Sequence, residues 1–145
     1  MILTYGSVAA SLASVTCPEM VTLPFCACEN KHQQLKQTIN KNLKPTLHAD
    51  QPMFESDPLS LMHTSVNRKT RAGHLLGENN QISIKDALKT MAINGAFQIK
   101  MEDKIGSIKV GKYADFVVLD KNPLLVAKET IKDIQVIRTI INGND

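Results

Sequence analysis

Apolar positions recur at helical spacing in three stretches of the chain. Leu35, Ile39 and Leu43 repeat every four residues within the polar, amide-rich run 31–46, which predicts a short amphipathic helix closed off before Pro45. Leu59, Met62 and Val66 follow Asp57-Pro58, a capping carboxylate and a residue with preset φ, so a second helix is expected to start there and to end near Arg71-Ala72-Gly73. Ser83-Ile84-Lys85-Asp86 has the form of a capping box. It opens a third helix whose face carries Ile84, Ala87, Leu88, Met91 and Gly95, the glycine marking a close approach or a local loosening. The run 73–81 between the second and third helices, with Gly77, Asn79 and Asn80, reads as loop.

From Ile105 the period becomes that of extended chain. Gly106–Val110 predicts a strand, Gly111-Lys112 a turn, and Ala114–Asp120 a strand buried on both faces and broken by Asn122-Pro123. Ile134–Ile141 predicts a last strand leading into Asn142-Gly143, a strong hairpin signal. The returning strand that this turn implies is not in the sequence, which ends at Asp145, so the chain reads as the tail of a longer ancestor with an open sheet edge.

Length and charge narrow the classes. At 145 residues the chain has the size of one domain, too short for a complete large barrel enzyme. Seventeen basic against fourteen acidic residues, spread widely and with only 4% aromatics, make a poor nucleic-acid footprint. No apolar run reaches the length of a membrane span. All basic residues fall at or after Lys31, so Met1–Val15 lacks the positive start of a secretory signal. Cys17, Cys26 and Cys28 are odd in number and suggest no disulfide framework, which fits a reducing cytoplasm. Together with His32 they can be written as a metal set, but Cys26-Ala27-Cys28 is too tight for a structural zinc site, and incidental thiols are the simpler reading.

Several segments carry a resemblance. Thr46-Leu47-His48-Ala49-Asp50-Gln51-Pro52-Met53, Val66-Asn67-Arg68-Lys69-Thr70-Arg71-Ala72-Gly73, Ala87–Ala96 and above all Gly106-Ser107-Ile108-Lys109-Val110-Gly111-Lys112-Tyr113-Ala114-Asp115-Phe116-Val117-Val118-Leu119-Asp120 resemble the C-terminal end of metal-dependent amidohydrolases, in the branch called amidohydrolase family 3. The resemblance implies an α/β fold: the last βα unit of a (β/α)8 TIM-type barrel plus part of an accessory β-sandwich built from both chain ends, incomplete as a stand-alone fold. It divides the chain into an unmatched segment 1–45, barrel elements 46–100 and sandwich strands 101–145.

The family hydrolyses non-peptide C–N bonds with a divalent metal, zinc first among the candidates. The resemblance therefore implies a metal-dependent amidohydrolase acting on a small amide-type substrate. It places Asp50 at the tip of the eighth barrel strand as metal contact and proton-handling catalytic carboxylate, and His48 beside it to orient Asp50 or contact substrate. Metal-bound water has a pKa near 7, and a carboxylate within reach accepts its proton. The simpler alternatives are a turn aspartate before Pro52 and a packing histidine; His63 and His74 read as surface residues. The family's His-x-His pair is absent, and a catalytic zinc needs about three protein ligands. The second expectation is thus a catalytically inactive remnant or interaction piece that binds no metal by itself and self-associates through its sheet edge.

Overall fold

A computed structural model describes residues 2–3, 22–24, 29–49, 52, 56–70 and 72–144. Strand β1 is Ile2–Leu3, β2 Thr22–Pro24, helix α1 Glu29–Asn40 and β3 Thr46–His48. Helices α2 (Pro58–Asn67), α3 (Ile84–Met91) and α4 (Ile93–Gln98) follow, then strands β4 (Phe116–Leu119) and β5 (Val136–Ile140).

Two strands run parallel, with Thr22 opposite Thr46 and Pro24 opposite His48. Parallel neighbours need a crossover, and α1 supplies it, so β2-α1-β3 is a βαβ unit. A sequence division at residue 45 falls inside that unit. The helix buries Leu35 and rests Ile39 on the core. It ends as Asn42 takes a left-handed conformation (φ 57°), with the Leu43 N–H donating to the Thr38 carbonyl.

The caps read from the sequence form. Asp57 Oδ1 accepts from the Leu59 N–H at 3.0 Å, with Pro58 in the first turn of α2. Ser83 Oγ accepts from the Asp86 N–H at 3.0 Å. Its hydroxyl returns a bond to the Asp86 carboxylate, which together with Lys89 holds that carboxyl below the usual carboxylate range.

Helix α2 stops earlier than expected. Arg68, not the 71–73 segment, is the left-handed C-cap, at φ 55°. Its buried side chain donates from Nε to the Leu76 carbonyl at 3.0 Å, and the Leu76 N–H donates back to the Arg68 carbonyl at 2.7 Å. Gly73 therefore serves a tight excursion closed by the Lys69–Leu75 bridge. The third helix also breaks, at Ala92 (φ −119°, ψ −88°), giving α3 and α4. Nothing lies within 4 Å of a Cβ built on Gly95. The close approach is at Gly106.

Residues 105–110 form no strand. Ile105 and Gly106 are buried, whereas Ile108 is largely and Val110 fully in solvent, and no neighbouring strand among the described residues takes up their backbone. In β4 only Val117 and Leu119 are buried, so the strand is covered on one face rather than two. It is the middle strand of an antiparallel sheet ordered β1-β4-β5, joining the two ends of the chain: Ile2 pairs with Val118, and Phe116 with Ile140. Asn142 and Gly143, both at positive φ, make the turn that the sequence announced.

One core joins these parts: Leu35, Leu59, Met62, Val66, Ile82, Ala87, Val117, Leu119, Ile131 and Ile134. Ile131 comes from a 3-10 helix over Lys128–Asp133 that packs on α2 and is tied to it by Asn67 Nδ2, which donates to the Lys128 carbonyl at 2.6 Å. His63, read as a surface residue, is half-buried. Burial and the neighbouring Lys132 push its pKa below 6.5, outweighing Asp133 and Glu129. The unfolded chain therefore takes up this proton first, and stability falls as pH drops from about 6.5 toward the lower folded-state value. Urea midpoints should be lower at pH 5.5 than at pH 7.5, and His63→Gln should flatten that dependence. An unchanged slope in the variant removes His63 as its source.

Candidate functional site

Strand β3 is held from outside its own pair. The buried Asn94 of α4 donates from Nδ2 to the Pro45 carbonyl at 2.8 Å, and Thr46 Oγ1 lies 3.0 Å from Gln98 Oε1. Alternation along the strand puts Thr46 and His48 on one face, while Leu47 packs on the core from the other. His48 is half-buried at the C-terminal end of β3, followed by the buried Ala49. That is the end of a barrel strand where catalytic groups gather. Asp50, the principal candidate, lies outside the described residues, as do Cys17, Cys26 and Cys28.

Neither His63 nor His74 joins His48 in a metal-holding group. His63 sits on α2 against the 3-10 helix, and His74 is exposed in the loop after α2, its N–H bonded to Thr70 Oγ1 at 3.1 Å. Among the described residues no three His, Cys, Asp or Glu side chains come together in a group able to hold a metal ion. A zinc with its three or more protein donors does not fit what these residues offer.

The most family-like segment performs structural work. Lys112 reaches back through Nζ to Ser107 Oγ at 2.7 Å, to the Ile105 carbonyl at 3.1 Å and to the Glu102 carbonyl. The Tyr113 N–H then bonds the Lys104 carbonyl, so the Gly-Ser-Ile-Lys-Val-Gly-Lys run is a loop stapled by its own lysine. Asp115 Oδ1 accepts from the Asn142 N–H at 2.8 Å and fixes the last turn.

The family model for the amidohydrolase family matches residues 25–144. The chain belongs to the amidohydrolase family. Its match takes in α1 as well as everything from β3 onward. The chain is 30% identical over 109 residues to the N-substituted formamide deformylase of Arthrobacter pascens, an alignment covering 75% of this chain and 20% of that protein. An amidohydrolase from Thermotoga maritima superposes with a TM-score of 0.58 at 23% identity, over 78% of this chain and 25% of the other. Escherichia coli guanine deaminase gives 0.58 at 20% identity, over 83% and 32%. At these identities the superpositions speak for the fold alone. This amidohydrolase-family chain spans about a fifth of the length of the curated relative, and the short open sheets and few helices among its described residues are part of a (β/α)8 barrel, not a closed one.

Membership does not carry the activity with it. The expectation of a working metal-dependent amidohydrolase is overturned, because the described residues assemble no metal-holding cluster. The same finding removes "metal-dependent" from the description of this chain, and the remnant or interaction-piece reading accounts for it better. No described helix is long and apolar enough to cross a membrane.

Proposed function

We propose that this chain is a non-catalytic association module of the amidohydrolase family, residing in the cytoplasm and self-associating through the outer edge of β5. The observation that carries the reading is the state of the strands. Among the described residues β5 is an edge strand with Val136 and Ile137 more than half exposed, and β2 and β3 pair only with each other. Unpaired strand edges are templates for another chain. In this reading Asp50, with His48 before it, is what the module offers to a site whose remaining donors come from elsewhere.

Light scattering on the purified full chain is expected to show concentration-dependent oligomers, and Ile137→Lys to return it to a monomer with unchanged circular dichroism. The same preparation, loaded with zinc and dialysed, is expected to retain no stoichiometric metal and to turn over no member of a panel of amides and cyclic amides. A strictly monomeric chain refutes the association. Retained zinc with turnover refutes the non-catalytic reading.

A further inference from the structure

The chain contains two Asn-Gly pairs, Asn94-Gly95 and Asn142-Gly143, and the fold treats them in opposite ways. An asparagine followed by glycine is open to attack on its own side-chain amide, because a residue without a Cβ lets its backbone nitrogen approach that carbon. Asn94 lies in α4, 8% exposed, with Nδ2 donating to the Pro45 carbonyl at 2.8 Å. The helix and that bond keep its amide from water. Asn142 is exposed at the first central position of the two-residue turn 141–144, at φ 51°, followed by Gly143 at φ 79°. No hydrogen bond among the described residues holds its side-chain amide.

Only backbone groups restrain this second pair. The Asn142 N–H donates to Asp115 Oδ1 at 2.8 Å, the Gly143 N–H to the Ala114 carbonyl at 2.9 Å, and the Asn144 N–H to the Ile141 carbonyl at 2.9 Å. The Gly143 nitrogen is the nucleophile that deamidation needs, and the closed turn keeps it engaged.

We infer that Asn142 is a self-deamidation site whose reaction is gated by opening of the last turn. In the open turn the Gly143 nitrogen gives up its proton to base and bonds to Cγ of Asn142. The bond from Cγ to the side-chain nitrogen breaks, ammonia leaves with a proton from solvent, and a five-membered succinimide closes. Water then adds to either ring carbonyl and gives aspartate or isoaspartate, so that one water is consumed for each ammonia released. Isoaspartate carries an extra methylene in the backbone, for which a two-residue turn has no room, and the Phe116–Ile140 end of the β4–β5 ladder is expected to fray. Weaker association of the aged chain through β5 rests on the association reading and is followed separately by light scattering; the chemistry at Asn142 does not rest on it.

The full chain is aged in dilute, mildly alkaline buffer, native and in denaturing urea, and mapped by peptide mass with chromatographic separation of isoaspartate from aspartate. In the native chain the Asn142 peptide is expected to convert at least about tenfold faster than the Asn94 peptide, since a turn near the chain end opens locally and a buried helical residue does not. In urea both should convert at similar rates, and Asn142 faster than in the native chain. Asp115→Ala removes the acceptor of the Asn142 N–H and is expected to speed native conversion about fivefold, whereas Asp115→Asn, which keeps an acceptor, restores the slower rate. Native Asn94 converting as fast as Asn142 overturns the assignment of the site. A rate at Asn142 that neither urea nor Asp115→Ala raises overturns the gate.

Discussion

Leu119→Asp is expected to abolish folding, leaving a chain that is insoluble or that lacks a cooperative urea transition. Leu119 is 4% exposed and packs in the cluster that joins α1, α2, α3 and the 3-10 helix. Removing such a side chain costs about 2–5 kcal/mol once the residual cavity is included. An aspartate there must shed its hydration inside an apolar cluster, adding several kcal/mol. The sum rivals the whole stability of an ordinary domain, about 5–15 kcal/mol. Leu119→Met conserves volume and should cost less than about 1.5 kcal/mol. Val118, half-buried on the opposite face of β4, should tolerate Val118→Thr far better than Leu119 tolerates aspartate. A soluble, cooperatively unfolding Leu119→Asp chain refutes the placement of β4 at the core.

How far the sequence foretold this structure depends on where each element finds its partners. The starts of α2 and α3 were legible because their signals are local: Asp57 and Ser83 bond backbone groups two or three residues away. The end of α2 was not. Glycine at 73 follows basic residues and resembles a C-cap, but Arg68 turns first because its guanidinium and backbone find partners at Leu76. Residues 106–110 read like a strand yet find no strand to pair with among the described residues, and alternation alone does not make a sheet. Strand β2 is three residues long, gains its identity from pairing with β3, and carried no signal of its own.

The site was legible to the same degree. His48 is the last residue of β3, while the metal chemistry attached to its neighbourhood came from family likeness and met no donor set among the described residues. Fold and activity separate here as they do across many scaffolds. The cavity between α2, α3 and the antiparallel sheet left no trace in the sequence because its walls come from four segments, around 57–62, 88–92, 115–119 and 136–141. Asp57 looked like a cap and Asp115 like part of a family signature. Both descriptions hold: Asp57 accepts from the Leu59 N–H and Asp115 from the Asn142 N–H.

Gly106→Ala is expected to destabilise the chain by about 2–5 kcal/mol, from two sources that a second substitution separates. The first is backbone: Gly106 sits at φ +83°, and an L-residue held in the left-handed region costs about 1–2 kcal/mol. The second is space. A Cβ there would lie 2.7 Å from the Ala96 Cβ, 3.0 Å from the Ile93 Cα and 3.1 Å from the Ala92 carbonyl oxygen. Overpacking of that kind costs about 1–3 kcal/mol. These contacts fall on the break between α3 and α4, which explains why the loop can dock only on a residue without a side chain. Ala96→Gly relieves just the 2.7 Å contact, leaving the backbone contacts and the φ penalty. The double variant should therefore recover part of the lost urea midpoint, after allowing for the cost of Ala96→Gly alone, and not the whole of it. Gly111, at φ +90° with nothing within 4 Å, carries only the first source, so Gly111→Ala should be the milder of the two loop variants. Equal losses at 106 and 111 would mean that the loop does not press on the helix break at all.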